Sequence, residues 1–371
     1  SKNYDSCFKF FYNTEFNDSN WNDIQVPGHI QLQGFDNPHY TDVTYPWDGH
    51  DVVKPGQIDM DKNKVYQYRK TFDCPQDFIG NKLILSFEGA ESNIYVWLNG
   101  KFIGYSEDSF TPSRFDITKY TQEKDNVLCV RIFQKCTGTW LEDQDMWRFT
   151  GIFRDVMIYK QPSLHIQDLK IDTDIDLDTQ KSVLSCVCKM SSNESHTLQA
   201  KLFDPQGNIV WNGNMQDTFE IPVENTCLWS SEFPNLYQLE LVLYDTNNEI
   251  IETIQEQVGF RKFTLEYGIM KLNGKRIVFH GINRHEWDPK TGRCLSQEQM
   301  EEDIHILKSL NINAIRTSHY PNNSYWYKLC DQYGIYVIDE MNLETHGARD
   351  ILPQNKTEWT DCLLDLSLIH I

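Results

Sequence analysis

Polar side chains that could bind a ligand or a metal ion follow three short apolar runs between residues 277 and 346. They are His285, Arg316, His319, Glu344 and His346. Glu344 and His346 are two residues apart, so in an extended segment both point to one side and could share a divalent cation. A lone histidine at such a position more often caps a strand or satisfies a neighbouring polar group. Five polar residues at equivalent positions favour a functional site instead.

A second candidate is the acidic run Glu142-Asp143-Gln144-Asp145, which Trp140 and Trp147 flank. Carboxylates beside aromatic rings suit sugar hydroxyls and a cation. A solvated acidic loop is the alternative interpretation. The two tryptophans argue against a purely solvated loop, but the spacing alone does not decide between the two.

Alternating strands and helices are predicted to position the first set of residues. Short strands are predicted at 277–279, 314–315 and 336–338. One helix should begin after Ser296, which forms a capping box with Gln299, and a second should cover about 324–333 and end at Gly334. This alternation predicts parallel βαβ units, whose functional groups gather at the carboxyl ends of the strands. Three strands are too few to close an eight-stranded barrel, so we expect the opening of a larger domain.

Two β modules precede these units. From residue 65 to about 159, short alternating runs with turn signals predict a sandwich of the jelly-roll type, as at Ile94, Val96 and Leu98 before the Asn99-Gly100 turn. From 164 to about 261 a second set of strands predicts an immunoglobulin-like sandwich. It has no cluster of chemically active residues, and we interpret it as a spacer. The expected domains are therefore 1–162, 163–262 and 263–371.

The composition limits the partners. Lys and Arg total 34 against 54 Asp and Glu, a net charge of -20, which argues against nucleic acid or an anionic membrane as partner. No apolar run approaches the roughly 18 residues of a membrane span. Ten cysteines without a C-x-x-C pair fit a reduced, cytoplasmic setting.

Several short motifs occur in a definite order along the chain. They are 44–46 (TYP), 107–112 (EDSFTP), 141–148 (LEDQDMWR), 150–155 (TGIFRD), 281–288 (GINRHEWD), 316–322 (RTSHYPN), 339–340 (DE) and 344–347 (ETHG). In order and spacing they resemble the β-galactosidases of glycoside hydrolase family two, over nearly the whole chain. The forms at 107–112 and 285–288 are similar to the large chain of two-chain β-galactosidases.

The resemblance implies a sugar-binding jelly roll, an immunoglobulin-like sandwich and part of a catalytic (β/α)₈ TIM barrel. It implies retaining hydrolysis of terminal β-D-galactosides such as lactose. By the same resemblance His285 and His319 contact the galactosyl ring, and Arg316 positions the nucleophile. Asp145 reaches a galactose hydroxyl and a sodium (or potassium) ion.

The resemblance also implies that Glu344 and His346 bind magnesium. Asp42 departs from the pattern, because many relatives have Asn there. A carboxylate cannot donate the hydrogen bond of an amide, which weakens the case for a substrate role of Asp42.

A retaining glycosidase needs two carboxylates about 5–5.5 Å apart. In the resembled family both are glutamates of later barrel strands, the first in an Asn-Glu pair, and no such pair follows His346. We therefore expect the chain to be a fragment of a longer parent, with neither catalytic glutamate and no turnover of its own. Residues 366–371 (LSLIHI) match the translation of a common sequencing adapter, and a genuine helix end is the alternative.

Three other functions remain open. A β-glucuronidase or a β-mannosidase has the same fold, although the acidic run with His285 and His319 favours galactose. The second is a non-catalytic carbohydrate-binding protein. The third, a zinc metallohydrolase, is disfavoured, because it would need a further ligand at metal-site spacing. The expected partners are a galactoside and further chains of the parent, as a homo-oligomer or a heterodimer of large and small chains.

Overall fold

The computed structural model of the chain describes residues 10–45, 54, 56–352 and 357–366. Pro46 of the 44–46 motif and residues 367–371 lie outside the described residues, so the adapter interpretation stays an expectation. Within the described ranges the chain forms two antiparallel β regions followed by a parallel α/β region.

The first β region is a sandwich with an extended N-terminal segment. Its strands are β1 His39–Thr41, β2 Val65–Phe72, β3 Lys82–Phe87, β4 Ala90–Glu91, β5 Asn93–Leu98, β6 Lys101–Glu107, β7 Ser113–Asp116, β8 Asn126–Phe133, β9 Glu142–Asp143, β10 Met146–Arg148, β11 Gly151–Ile152 and β12 Val156–Gln161. Short 3-10 helices lie at Gln31–Gln33, Gln76–Phe78 and Gly138–Trp140. The sheet β2-β8-β5-β6 packs on the sheet β12-β3-β7.

Alternation along the strands builds the core between these two sheets. Ile94, Val96 and Leu98 of β5 are all buried against residues of the opposite sheet, as the sequence pattern predicts. The predicted turn joins β5 to β6, with Asn99 at φ 50° and Gly100 at φ 78°. Such angles suit Asn-Gly and match the twist of the strands.

The second β region has the two-sheet arrangement of an immunoglobulin-like domain. Its strands are β13 Ile166–Asp176, β14 Lys181–Met190, β15 Thr197–Phe203, β16 Ile209–Met215, β17 Thr218–Glu224, β18 Tyr237–Tyr244 and β19 Ile250–Val258. The sheets β13-β14-β17 and β16-β15-β18-β19 enclose one apolar core. Cys186 and Cys188 lie on one face of β14, both buried in that core.

The third region begins with an antiparallel meander and continues with parallel strands. Its elements are β20 Phe263–Glu266, β21 Ile269–Leu272, β22 Lys275–Arg276, β23 Gly281–Arg284, α1 Gln297–Ser309, β24 Ala314–Thr317, α2 Ser324–Tyr333, β25 Tyr336–Ile338, β26 Glu344–Thr345, α3 Thr360–Asp365, and 3-10 helices at His346–Ala348 and Thr357–Trp359. The strands β23, β24 and β25 form a parallel sheet in that order. This confirms the predicted βαβ units.

The prediction of the first parallel strand at 277–279 is wrong by about four residues. Asn313 bonds the backbone of this segment: its side chain accepts from the His280 N–H at 2.8 Å and donates to the Val278 carbonyl at 2.9 Å, and its own N–H donates to the His280 carbonyl at 3.0 Å. Pairing starts at Gly281 opposite Ala314. An added Cβ on Gly281 would lie 3.2 Å from the Ala314 side chain, so this close approach suits glycine.

Both predicted helices are confirmed with their caps. Ser296 and Gln299 form the capping box of α1, which buries Met300, Ile304 and Leu307. Gly334 ends α2 in the left-handed conformation at φ 72°. No helix in the described ranges is long and apolar enough to cross a membrane. The nine described cysteines are free thiols.

Candidate active site

Arg316 and His319 share one carboxylate at the carboxyl end of the parallel sheet. Arg316 lies in β24, and its Nε donates to Oε1 of Glu340 at 2.6 Å. The other oxygen of Glu340 lies 3.1 Å from Nδ1 of His319. Glu340 follows β25, the strand beside β24, and parallel strands end at the same edge of a sheet.

His285 follows β23, the strand on the other side of β24, and so lies at the same edge of the sheet. Its ring lies 5.5 Å from that of His319, edge to face at 82°. His285 is exposed to solvent, but partial desolvation of its ring, together with the charges of His319, Arg293 and Arg316, lowers its pKa, while the Asp145 carboxylate acts in the opposite direction. His285 is therefore a neutral imidazole at neutral pH, able to donate one hydrogen bond and accept another.

Asp145 reaches this edge from the first β region. It lies between β9 and β10, is only partly exposed, and accepts a hydrogen bond from the hydroxyl of Tyr40. Its negative charge acts on the pKa of His285, so an acid of the first β region lies within electrostatic range of a histidine of the third. The structure thus brings Asp145 to the residues that the sequence placed at the barrel end.

Aromatic rings border Asp145. Trp147 stacks on Trp287 at 6.2 Å and 19°, and Phe149 stacks on Trp287 at 5.6 Å and 16°. Trp147 keeps 41% of its surface exposed. Flat, partly exposed rings beside polar groups are suited to the apolar faces of sugars.

Glu344 and His346 lie beside Asp42 and form the second part of the site. Nδ1 of His346 is 3.5 Å from Oε1 of Glu344 and 3.6 Å from Oδ1 of Asp42. This nitrogen is buried and has no hydrogen-bond partner. An orphaned ring nitrogen beside two carboxylate oxygens fits a shared cation, and magnesium is usually held by one or two carboxylates with several waters. In the described part of the chain no three acidic, histidine or cysteine side chains are placed to hold a metal together.

The acidic run 142–145 holds this second part in place. β26 pairs in parallel with β9, with Glu344 opposite Glu142 and Thr345 opposite Asp143. The Gly347 N–H donates to Asp143 at 2.7 Å, and Arg148 donates to its other oxygen at 2.6 Å. Burial raises the pKa of Asp143 to about 6, although Arg148 acts to lower it.

Glu142 lies deeper at the same junction. It accepts from the Ser109 backbone at 2.9 Å and hydroxyl at 2.7 Å, and from the Asn342 amide at 2.8 Å. Burial, with Asp108 nearby, raises the pKa of Glu142 well above its usual range. Glu142, Asp143 and Gln144 are all buried, so a solvated acidic loop is excluded for them.

A cavity of about 350 Å³ lies in the first β region. Glu91, Glu142 and Arg148 are in its wall, and each is hydrogen-bonded within the protein. Its described lining includes none of His285, Arg316 and His319.

Sequence reasoning missed several residues that organise the site. It gave no role to Glu340, although this residue follows a predicted strand as the other candidates do. It also missed Tyr40, and the buried ion pairs Arg293–Glu91 at 2.7 Å and Arg154–Glu286 at 2.8 Å, which join the first region to the barrel. Their partners are more than a hundred residues apart, so no local pattern could reveal them.

Sequence comparison matches three models of glycosyl hydrolases family 2 along the chain. The sugar binding domain matches residues 5–162, the central family 2 domain matches 164–261, and the TIM barrel domain matches 263–363. The chain belongs to glycoside hydrolase family 2. The predicted multidomain fold, with a sugar-binding domain, an immunoglobulin-like sandwich and part of a TIM barrel, is confirmed.

Curated relatives of this family-2 chain carry β-galactosidase names. A β-galactosidase of Halalkalibacterium halodurans is 48% identical over 96% of this chain and 37% of its own length. A β-galactosidase large subunit of Leuconostoc lactis is 42% identical over 91% of this chain and 57% of its own. The family-2 chain thus spans between about a third and three fifths of the length of these relatives.

Solved structures agree on the fold. A structure of β-glucuronidase 2 from Bacteroides uniformis, covalently bound to cyclophellitol-6-carboxylate aziridine, has a TM-score of 0.77. It is 24% identical and covers 95% of this chain and 42% of that one. At that identity the likeness concerns the fold alone.

Proposed function

We propose that the whole protein is a β-galactosidase that hydrolyses terminal β-D-galactosides such as lactose with retention. The observation that carries the proposal is that the charge of Asp145, from the sugar-binding domain, acts on His285, whose ring lies 5.5 Å from that of His319 at the barrel edge. The names of the curated relatives support it.

In this proposal the chain supplies groups that bind and orient the galactosyl ring. Asp145 accepts a hydrogen bond from a hydroxyl, and neutral His285 donates or accepts another. His319 binds the ring beside it, and Arg316 orients the carboxylate that attacks the sugar. Retention needs two carboxylates about 5–5.5 Å apart, and we assign neither role to a residue of this chain.

We further propose that Glu344 and His346 hold magnesium and that Asp145 contributes to a sodium or potassium site. The unpartnered His346 nitrogen beside the Glu344 and Asp42 oxygens supports the first assignment. A bound magnesium ion would supply a fixed positive charge beside the sugar site. Asp42 would face this ion rather than the sugar.

Calorimetry on the chain tests the magnesium assignment without an activity assay. Magnesium should bind the wild-type chain more tightly than Glu344→Gln, whereas Glu249→Gln, in an exposed turn, should match the wild type. Equal affinity in all three would contradict the assignment.

Hydrolysis of nitrophenyl glycosides by the whole protein tests the activity. The β-D-galactoside should give a much larger kcat/KM than the β-D-glucuronide or β-D-mannoside, and NMR should show the β-anomer of galactose forming first. A preference for the glucuronide or mannoside would replace the proposal by the alternative with the same fold. Galactose binding without any hydrolysis would indicate a non-catalytic carbohydrate-binding protein.

We also propose a cytoplasmic protein that assembles as a homo-oligomer or with a second, smaller chain. The large-subunit name of the Leuconostoc lactis relative supports the second assembly. Light scattering on the whole protein purified from its source would give its mass and show whether a smaller chain accompanies it.

A further inference from the structure

The carboxylate of Glu340 contacts two residues of the proposed galactoside site, Arg316 and His319. Glu340 binds Arg316 Nε through Oε1 at 2.6 Å and faces His319 Nδ1 through Oε2 at 3.1 Å. Its side chain is 25% exposed, so water only partly competes for these contacts.

The backbone beneath the Glu340 side chain is hydrogen-bonded to the neighbouring strand β24. The backbone N–H of Glu340 donates to the hydroxyl of Thr317 at 2.9 Å, and this hydroxyl donates to Asp339 at 3.0 Å. Tyr327 donates to the same Asp339 oxygen at 2.6 Å. Thr317 is fully buried in β24, so the backbone at the base of the Glu340 side chain is fixed to the neighbouring strand.

Arg316 and Glu340 favour opposite protonation states of Nδ1 of His319. Nη2 of Arg316 lies 3.3 Å away and can only donate, so it favours the tautomer with a bare Nδ1. The Glu340 carboxylate lies closer and can only accept, so it favours the tautomer with Nδ1–H. The partner of one ring nitrogen thus decides what the other nitrogen offers to a ligand.

We propose that Glu340 is a positioning residue that selects the Nδ1–H tautomer of His319 while it fixes the orientation of Arg316. In that tautomer Nε2 is a hydrogen-bond acceptor for a sugar hydroxyl. The sugar part of this inference rests on the proposed function, whereas the tautomer does not depend on it.

The substitution Glu340→Gln separates the two effects. The amide oxygen can still accept from Arg316 Nε, so the guanidinium keeps its place. The amide nitrogen that replaces Oε2 then donates toward Nδ1 of His319. Arg316 also donates there, so Nδ1 must become a hydrogen-bond acceptor. The ring should change to the Nε2–H tautomer, which reverses its hydrogen bond to a hydroxyl.

Long-range ¹H–¹⁵N spectra of the 371-residue chain, labelled at histidine, test the tautomer at pH 8. The His319 signals are assigned with His319→Gln. The wild type should show a protonated Nδ1 and a bare Nε2, and Glu340→Gln should exchange the two shifts. Glu302→Gln, an exposed change of the same kind on α1, should leave them in place. A bare Nδ1 in the wild type, or no exchange in Glu340→Gln, would overturn the inference.

Kinetics of the whole protein on the nitrophenyl galactoside give the second readout. Glu340→Gln should lower kcat/KM by roughly tenfold, the worth of one hydrogen bond to the substrate. Glu340→Ala should lower kcat/KM further, because Arg316 then also loses the carboxylate that holds it. Equal losses in the two variants would contradict separate effects on His319 and Arg316. A wild type without turnover would refute the proposed function alone, since the NMR result still decides the tautomer.

Discussion

The surroundings of each carboxyl group determine its role in the segment 142–145. Glu142 is buried at a domain junction and bonded to three donors. Asp143, also buried, binds Arg148 and the Gly347 backbone. Asp145 alone is partly exposed, and its charge acts on His285 at the barrel edge. Two of the three acids are therefore structural, and one is available to a ligand.

Asp145→Asn in the whole protein should weaken galactoside binding by about 1.5–3 kcal/mol, because a charge-assisted hydrogen bond is lost. The loss should appear in kcat/KM for the nitrophenyl galactoside, together with a weaker response to sodium. Asp155→Asn, an exposed change in the same domain, serves as the control. Unchanged kinetics and sodium response in Asp145→Asn would remove Asp145 from the site.

Asp143 should make stability depend on pH. Its pKa rises from 3.8 to about 6 on folding, so the folded chain binds the proton more tightly than the unfolded chain. The resulting stabilisation is complete below about pH 4 and is lost as pH rises through 6, by on the order of 2–3 kcal/mol. Urea unfolding of the chain at several pH values measures this as the difference between the wild type and Asp143→Asn. A difference that stays constant from pH 4 to 7 would show that the pKa is not raised.

Short elements with well-defined ends place the barrel residues. The helix α1 returns the chain from β23 to β24, and α2 returns it from β24 to β25, which aligns the ends that carry His285, Arg316 and Glu340. Gly334 must turn the chain sharply after α2, and an added Cβ there would lie 2.6 Å from the Ser231 carbonyl oxygen. The helix ends thus contribute to the geometry of the site.

Ser296→Ala should lower the free energy of unfolding by about 1 kcal/mol, because the N–H of Gln299 loses its acceptor at the start of α1. Ser296→Asp should keep most of the stability, since a carboxylate also caps a helix start. Equilibrium unfolding in urea measures both. Equal losses in the two variants would mean that the cap does not stabilise α1.

Across the whole molecule, buried ion pairs join the sugar-binding domain to the barrel. Arg154 donates to Glu286 and to the Pro321 carbonyl, both at 2.8 Å. The side chains of Arg154 and Glu286 are only 6% and 1% exposed. Arg293 reaches Glu91 in the opposite direction, from the barrel into the first domain. These contacts fix the position of Asp145 relative to His285.

Arg154→Met should destabilise the chain by about 3–5 kcal/mol, because Glu286 is left buried without its positive partner. Adding Glu286→Gln should recover much of the loss, since the neutral amide keeps an acceptor for the Asn323 N–H. Chemical unfolding of the single and double variants gives the coupling between the two residues.

The pair Lys160–Asp77 in the first β region is the control for the Arg154–Glu286 variants, because both of its side chains are about half exposed or more. Lys160→Met should leave the unfolding midpoint nearly unchanged. A midpoint shift as large as that of Arg154→Met, or a double variant no more stable than the single one, would contradict a special role of the buried pair.

Local patterns were enough to predict much of the chain. Strand alternation predicted the two sandwiches, caps predicted α1 and α2, and polar residues after apolar runs indicated the barrel edge, because each signal depends on neighbours within a few residues. The start of β23 was misplaced, because the side chain of Asn313, more than thirty residues away, occupies the backbone groups of 278–280.

The sequence by itself determined the fold class and the family resemblance, and it singled out His285, Arg316, His319, Glu344 and His346 as candidate site residues. Only the tertiary structure separated the buried Glu142 and Asp143 from the available Asp145, and only it placed Glu340 between Arg316 and His319. The physical reason is that burial and long-range pairing decide how a carboxyl group is charged and bonded, and neither is written in the spacing of residues along the chain.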